Sequence, residues 1–185
     1  MSEKKVLLDR KALNAGLDEM AKGILALKPD VTRLALVGIR TRGINLAERL
    51  KTRLDPLCGC DVPIGALDIT LYRDDLSTLA KQPLVGETRL SFDVEGKEIV
   101  LADDVIYTGR TIRAALDAIV GYGRPQRIIL AVLVDRGNRE YPIQPDVAAL
   151  RLSTNHNQNV QVRLDELDGE EYVMLVTKGP EDTHF

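Results

Sequence analysis

The stretch VLADDVIYTGRT, residues 100–111, joins an apolar run to two acidic residues, a short polar turn and the start of a helical pattern. Its apolar run belongs to a predicted strand over residues 97–104, and the pattern from residue 110 onward predicts a helix. In open α/β sheets, ligands bind at the carboxyl ends of the parallel strands. Asp103 and Asp104 are placed at such an end, so this stretch indicates both a fold class and a functional site.

Strand and helix patterns alternate on both sides of this stretch. The spacing of apolar residues predicts helices over 10–27 and from about 43 to 55, and strands over 33–38, 63–72 and 127–135. This alternation predicts a central, mostly parallel sheet flanked by helices. The short strand patterns after residue 135 predict a smaller, partly antiparallel addition. We interpret residues 1–185 as a single domain with a flexible arm over 73–90.

Composition excludes several classes of protein. The 185 residues are 44% hydrophobic, which is enough for a core, and the net charge of −3 gives no overall basic signature for nucleic acid. No apolar run reaches transmembrane length and the first residues show no signal peptide, so we expect a cytoplasmic protein without a membrane partner. Cys58 and Cys60 are too close for an ordinary structural disulfide and are interpreted as free thiols.

The turn over residues 107–111, YTGRT, has the features of a phosphate site. Consecutive backbone N–H groups at a helix start bind phosphate, and the two threonine hydroxyls add donors. A ribose 5-phosphate would place its phosphate here and its vicinal hydroxyls at the two carboxylates. The alternative is a solvated strand end followed by an ordinary helix cap. The acid pair alone, or the turn alone, would favour this alternative. Neither a P-loop nor a dinucleotide fingerprint is present.

Two further segments suggest anion binding. VGIRTRG, residues 37–43, follows a predicted strand and precedes a helix, and its two arginines suit a pyrophosphate. DITLYRDDLS, residues 68–77, begins the predicted arm, whose Arg73 could close over a bound pyrophosphate. The alternative for both segments is a solvated loop.

These residues resemble a known family. VLADDVIYTGRT is similar to the phosphoribosyl pyrophosphate (PRPP) motif of type I phosphoribosyltransferases. From about residue 5 to residue 146, LALVGIRTRGINLAERL, GALDITLYRDDLS, GRPQRIILAVLVDRG and REYPI resemble, in the same order, the bifunctional pyrimidine operon regulatory protein/uracil phosphoribosyltransferase family. The resemblance implies a type I phosphoribosyltransferase α/β fold with a small hood, to which residues 136–185 contribute hood and tail strands.

The resemblance also implies roles for individual residues. Asp103, Asp104 and Arg73 would be the catalytic residues, with Mg²⁺ near the two aspartates but no direct protein ligand assigned to it. The ribose and 5′-phosphate of PRPP would be bound by Asp103, Asp104, Val105, Tyr107, Thr108, Gly109, Arg110 and Thr111. Pyrophosphate would be bound by Arg40, Thr41, Arg42, Gly43 and Arg73, and the loop often contains a cis peptide at Arg40–Thr41. Asp135, Arg136 and Gly137 would lie near the uracil pocket.

The function implied is Mg²⁺-dependent conversion of uracil and PRPP to UMP and pyrophosphate. We expect displacement of pyrophosphate at ribose C1 with oxocarbenium character, assisted by leaving-group stabilisation rather than by a strong base. His156 and His184 both fall in the weakly patterned tail. The family also binds pyrimidine operon leader mRNA in response to UMP, and a homodimer or larger homo-oligomer is expected.

This sequence departs from the family pattern for RNA binding. The first helix carries Asn14, Ala15, Asp18 and Glu19 where the family has basic residues, and Asn138 stands where a histidine is usual. Fewer cations lower RNA affinity directly, so we rank catalysis ahead of RNA binding. Two alternatives stay open: a nucleotide-sensing RNA-binding regulator with weak or no catalysis, and a phosphoribosyltransferase for another base, such as a purine or orotate.

Overall fold

The computed structural model describes residues 3–70 and 87–179. In chain order its elements are β1 (Glu3–Asp9), α1 (Arg10–Ala26), β2 (Leu34–Ile39), α2 (Arg42–Cys58), β3 (Ile64–Leu67), β4 (Arg89–Leu90), β5 (Glu98–Ile106), α3 (Arg110–Val120), β6 (Arg127–Asp135), β7 (Val147–Arg151), β8 (Gln158–Arg163), α4 (Asp165–Asp168) and β9 (Tyr172–Thr177). None of the described helices is long and apolar enough to cross a membrane.

The main sheet has six strands in the order β4-β3-β2-β5-β6-β7. Every neighbouring pair is parallel except β3 and β4. The central strands β2, β5 and β6 are almost entirely buried, because helices cover both faces of the sheet. The predicted mostly parallel sheet flanked by helices is therefore confirmed.

Helices α1 and α2 pack on one face of the main sheet and α3 packs on the other. On the first face, Leu13 and Leu17 of α1 and Leu46 and Leu50 of α2 lie in one apolar cluster. On the second face, the apolar side of α3 contributes to a separate cluster. Alternate residues of β5 enter the two clusters, as the two-residue period of a strand requires.

Helix α2 runs past the predicted end. The sequence predicts a stop near Pro56, but the helix continues to Cys58. Gly59 ends it in a left-handed conformation with φ 66° and donates its N–H to the Asp55 carbonyl at 2.9 Å. The proline lies in the last turn of a helix that is already formed, so it removes only one hydrogen bond there.

Strand β3 is shorter than the predicted strand over 63–72. The chain turns at Asp68, whose N–H donates to Thr88 Oγ1 at 3.0 Å and whose Oδ1 accepts the Thr70 N–H at 2.7 Å. This side-chain turn competes with continued strand pairing. Residues 73–86 of the predicted arm lie outside the described residues, whereas its last two residues form β4 beside β3.

The remaining strands form a second sheet, which we call the hood sheet, with the antiparallel order β1-β9-β8. The sequence predicts that strands after residue 135 contribute to this addition, and the structure adds two features that the patterns do not show. The N-terminal strand β1 joins the hood sheet, and β7 instead extends the main sheet, where Val147 pairs with Ala131 of β6 in parallel register. Long-range hydrogen bonding decides these partnerships, which local patterns do not contain.

Candidate active site

The acid pair Asp103 and Asp104 lies on β5, near its carboxyl end. The strand continues for two residues beyond the pair, because Val105 and Ile106 still pair with β6. Asp103 Oδ1 accepts the Asp104 N–H at 3.0 Å, and Asp104 Oδ1 accepts the Val105 N–H at 2.8 Å. Asp103 is buried and Asp104 is partly exposed.

Burial dominates the ionisation of the pair. It raises the pKa of Asp103 well above its usual range, and the neighbouring Asp104 carboxylate raises it further. Burial also raises the pKa of Asp104, although the Val105 N–H and the Arg42 guanidinium oppose this. Two carboxylates held this close in a buried site favour a ligand that brings hydroxyl donors or a cation.

The turn over 107–111 connects β5 to α3 directly beyond the acid pair. Gly109 precedes the helix with φ 91°, a left-handed conformation that favours glycine. The Thr108 carbonyl accepts the N–H groups of Glu140 and Tyr141 at 2.9 and 3.0 Å, which fixes the turn against the loop after β6. The start of α3 thus presents its backbone N–H groups and the threonine hydroxyls beside the two aspartates.

The Arg110 side chain is engaged within the protein. Its Nε donates to Glu140 Oε2 at 2.7 Å, and its guanidinium lies 5.3 Å from the centre of the Tyr141 ring. The Arg110 side chain thus ties the turn to residues 140–141, and its backbone N–H donates to Thr108 Oγ1 at 3.4 Å.

The loop over 40–43 lies against the acid pair. The Arg40–Thr41 peptide is cis, as the resemblance implied. Gly43 touches β5 so closely that a Cβ atom added there would lie 2.5 Å from the Ala102 carbonyl oxygen. Arg40 Nη2 donates to the Glu87 carbonyl at 3.1 Å. The structure thus brings together the two loops and the acid pair, as the sequence predicted.

Arg42 of this loop reaches the hood side of the site. Its Nη2 donates to Asp168 Oδ1 at 2.9 Å and its Nε donates to Asp168 Oδ2 at 3.3 Å. A cavity of 250 Å³ separates the core from the hood sheet here, lined by Arg42, Asp104 and residues 160–163. Sequence reasoning missed Asp168, because the pattern over residues 160–167 predicts a short strand and no recognised motif includes the acidic residue that follows it.

The residues predicted near the base follow β6. Arg136 is buried and donates from Nε to Thr154 Oγ1 at 3.1 Å, from Nη1 to Asn159 Oδ1 at 2.9 Å and from Nη2 to the Gln158 carbonyl at 2.5 Å. Its guanidinium lies over the Tyr107 ring, 4.1 Å from the centroid. Burial lowers the pKa of Arg136. These contacts join the strand end, the turn and the hood sheet.

Arg139 is a second residue that sequence reasoning missed. Its Nη2 binds Asp135 Oδ1 at 2.6 Å, and its Nη1 donates to the Tyr107 carbonyl at 2.8 Å. The Gly137 N–H donates to the same Asp135 oxygen at 3.0 Å. Arg139 therefore holds the ends of β5 and β6 together. Asn138, in the left-handed region with φ 57°, donates to the Thr154 carbonyl at 2.7 Å.

Not every predicted site residue falls within the described residues. Arg73 belongs to the segment 71–86, which lies outside them. His156 is exposed in the tail, as the sequence suggested. Within residues 3–70 and 87–179, no group of three or more histidine, cysteine, aspartate or glutamate side chains could hold a metal ion.

Comparison with known proteins gives a consistent result. The family described as phosphoribosyl transferase domain matches residues 4–167. A protein named bifunctional protein PyrR from Pelotomaculum thermopropionicum is 52% identical over 174 residues, covering 94% of this chain and 96% of the relative. A protein of the same name from Deinococcus radiodurans is 48% identical over 179 residues, covering 97% of each chain.

Solved structures share the fold at much lower identity. A hypoxanthine phosphoribosyltransferase from Trypanosoma cruzi superposes with a TM-score of 0.71 at 19% identity, covering 97% of each chain. One from Staphylococcus aureus gives a TM-score of 0.69 at 18% identity, covering 96% of this chain and 93% of its own. The type I phosphoribosyltransferase fold implied by the resemblance is thereby confirmed.

Proposed function

Because this chain belongs to the PyrR family of phosphoribosyltransferases, whose members are pyrimidine operon regulators with uracil phosphoribosyltransferase activity, we propose that it converts uracil and PRPP to UMP and pyrophosphate. One observation carries the assignment of the site. The loop over 40–43 and the turn over 107–111 both border the buried acid pair, and Gly43 rests directly on β5. An anion loop on each side of two carboxylates matches a sugar that carries phosphates at both ends.

Each part of PRPP has a matching group in this arrangement. The ribose 2′- and 3′-hydroxyls would donate to Asp103 and Asp104, whose carboxylates are acceptors when ionised. The 5′-phosphate would accept from the backbone N–H groups of residues 108–111 at the start of α3. The pyrophosphate would lie on the loop over 40–43. The closing role predicted for Arg73 stays a prediction.

Mg²⁺ is part of the proposal. Carboxylate oxygens are ligands that Mg²⁺ accepts, and it is commonly bound by one or two carboxylates together with substrate phosphates. Asp103 and Asp104 provide such oxygens in a buried site, so the residues fit the ion. When bound with PRPP, Mg²⁺ would neutralise charge on the leaving pyrophosphate.

The residues of the chain act mainly by positioning and by electrostatics. As uracil N1 attacks ribose C1, the bond between C1 and pyrophosphate breaks, the N1 proton passes to solvent, and negative charge grows on the leaving oxygen. Arg42 and the N–H groups of its loop are placed to stabilise that charge.

The base pocket is proposed at the end of β6. Asp135, Arg136 and Gly137 border the turn that carries Tyr107, and Arg136 is fixed by three hydrogen bonds and an aromatic ring. A flat, rigid pocket wall suits a planar base. Competition for PRPP by guanine, hypoxanthine or orotate would separate uracil specificity from the alternative of another base.

The test is UMP formation from uracil and PRPP with Mg²⁺, measured for the wild type and for the double variant Asp103→Asn/Asp104→Asn. We expect turnover in the wild type and its loss in the variant. The matched control is Asp117→Asn, which removes an exposed carboxylate paired with Arg113 on α3 and should leave turnover unchanged. Wild-type protein that forms no UMP would sink the proposal.

Binding of pyrimidine operon leader mRNA is proposed as the second activity, supported by relatives of about half-identical sequence named as bifunctional. Two cations on or beside the outer side of α1 are paired with acidic residues: Arg53 of α2 donates to Asp18 at 2.6 Å and to Asn14 at 2.9 Å, and Lys22 pairs with Glu19. We therefore expect weak RNA binding that falls steeply with salt. A gel-shift titration with a pyrimidine operon leader in the presence of UMP tests this, and the absence of any salt-dependent shift contradicts it.

Two further statements complete the proposal. We place the protein in the cytoplasm, where a leader mRNA would be met and where the free thiols of Cys58 and Cys60 would stay reduced. The homodimer or larger homo-oligomer stays a prediction, which light scattering coupled to size-exclusion chromatography would test.

A further inference from the structure

A carboxylate of the hood holds an arginine of the predicted pyrophosphate loop. Asp168 ends the short helix α4, between β8 and β9 of the hood sheet. It accepts two hydrogen bonds from Arg42, one from Arg163 Nη1 at 2.7 Å and one from the Leu164 N–H at 2.9 Å. The two-point contact with Arg42 fixes the plane of the guanidinium as well as its position.

The surroundings keep this contact strong. The Asp168 side chain is 7% exposed and that of Arg42 is 31% exposed, so water screens the ion pair only in part. Hydrogen bonds from Arg42, Leu164 and Arg163 hold the pKa of Asp168 well below its usual range against the opposing effect of burial. Asp168 is therefore ionised at neutral pH, and its charge is available to both arginines.

The contact lies at the ribose site. Arg42 and Arg163 line the same core–hood cavity as Asp104. The Arg42 charge is close enough to Asp104 to oppose the rise in its pKa. Asp168 thus fixes a cation where the proposed ribose carboxylates meet the proposed pyrophosphate loop.

We propose that Asp168 is a positioning residue for PRPP, which orders the Arg42 guanidinium at the pyrophosphate end of the site before the substrate binds. This inference rests on the proposed function and deepens it, since it names a hood residue that acts on the pyrophosphate subsite. An arginine that rotates freely loses side-chain entropy when a ligand binds, which lowers affinity. An arginine already held by a protein partner has lost that entropy before the ligand binds.

The charges around Arg42 favour a positioning role for Asp168 over competition between Asp168 and the substrate for Arg42. Asp168 engages Nε and Nη2 of Arg42, so this ion pair, within the described part of the chain, does not use Nη1, which can face a ligand. One carboxylate between two guanidinium groups leaves a net charge of about +1 on the cluster of Asp168, Arg42 and Arg163, so Asp168 does not cancel the cationic character of the Arg42 side of the cavity. Without Asp168, the two guanidinium groups would repel each other and separate.

The test compares two ligands that differ in the pyrophosphate. Calorimetric titration with PRPP and Mg²⁺, and separately with UMP, is carried out on the wild type, Asp168→Asn and Asp165→Asn. Asp165 is the matched control, because it lies on the same helix but pairs with Arg10 instead of Arg42. Arg42→Lys is a second variant, because lysine keeps the charge but not the two-point contact.

We expect Asp168→Asn to weaken PRPP binding about tenfold, as for loss of a charge-assisted hydrogen bond. Its affinity for UMP should stay within about twofold of the wild type, and so should the affinities of Asp165→Asn for PRPP and for UMP. Arg42→Lys should give the same selective loss of PRPP affinity, and adding Asp168→Asn to it should lower that affinity by no more than about twofold further.

Equal losses for PRPP and UMP would indicate a merely structural role and overturn the inference. Unchanged or tighter PRPP binding by Asp168→Asn would overturn it too. A wild type that binds UMP but not PRPP would refute the inference and the proposed transfer together, whereas normal PRPP binding without UMP formation would count against the proposed transfer alone.

Discussion

Substituting Gly43 by alanine tests whether the loop over 40–43 must touch β5 for catalysis. An added Cβ atom would lie 2.5 Å from the Ala102 carbonyl oxygen and 3.4 Å from the Asp103 Cα atom. A carbon–oxygen contact normally starts at about 3.3 Å, so the loop must move by about 0.8 Å. Both atoms belong to the backbone, so no flexible side chain can absorb the shift.

The expected result is a large kinetic effect with a moderate loss of stability. A displacement of about 1 Å in a substrate-positioning group can lower the rate about 100-fold, so we expect kcat/KM for PRPP to fall by about that factor. Overpacking at a tight contact costs about 1 to 3 kcal/mol in the free energy of unfolding. Initial rates of UMP formation, measured well below the melting temperature, and urea denaturation give the two quantities.

Gly59→Ala is the matched control. Gly59 also has a special conformation, with φ 66°, but an added Cβ atom would have nothing within 4 Å. It follows the far end of α2, about 25 Å from Arg42 by the rise of the helix. We expect a loss of about 1 kcal/mol in stability from the left-handed conformation and no change in kcat/KM. Wild-type kinetics in Gly43→Ala would refute the placement of this loop in the active site.

Three further outcomes are expected. Arg136→Lys loses its contact with the Tyr107 ring and much of its hydrogen bonding, so urea denaturation should show a loss of about 2 kcal/mol, and KM for uracil should rise. Asp103→Asn should be more stable than the wild type at pH 7, because the pKa of buried Asp103 is raised in the folded state. The stabilising contribution of the protonated Asp103 is complete below the unfolded-state pKa of about 4 and is lost as the pH rises through the folded-state pKa. Thermal melts at pH 7 and pH 4 should show that the difference in melting temperature disappears at the lower pH, and equal melting temperatures at pH 7 would contradict this. Chelation of Mg²⁺ by EDTA should abolish UMP formation, which added Mg²⁺ restores; undiminished turnover would contradict the proposed role of the ion.

The sequence predicts the local parts of the site well. The acid pair, the phosphate turn and the arginine loop are each contiguous, and each follows a strand of one parallel sheet. The topology of such a sheet places successive strand ends on the same edge. Recognising three short motifs and the alternation of elements was therefore enough to predict their neighbourhood, without any knowledge of side-chain contacts.

The parts that were missed depend on contacts between distant residues. The hood sheet joins the first residues of the chain to the last, and no pattern in β1 names β9 as its partner. Asp168 lies 126 positions from Arg42 in sequence. A short acidic helix that binds an arginine has the same sequence pattern as a short acidic helix that faces water. Such roles become visible only when the fold brings the two ends together.

The contacts of Arg42, Arg110 and Arg136 also show why residue type alone does not identify the ligand of a side chain. A guanidinium has five N–H donors in a planar fork, so one side chain can hold a protein partner and still bind a ligand. Arg42 uses Nε and Nη2 for Asp168, which leaves Nη1 in keeping with a role toward pyrophosphate. Arg136 donates from all three nitrogens to the protein, so its role in the proposed base pocket is one of position and stacking. Arg110 pairs with Glu140, so the proposed recognition of the 5′-phosphate relies on the backbone of its turn. For Arg42, the pairing occupies one side of the guanidinium but fixes its position and plane, which is the preorganisation proposed above for PRPP binding.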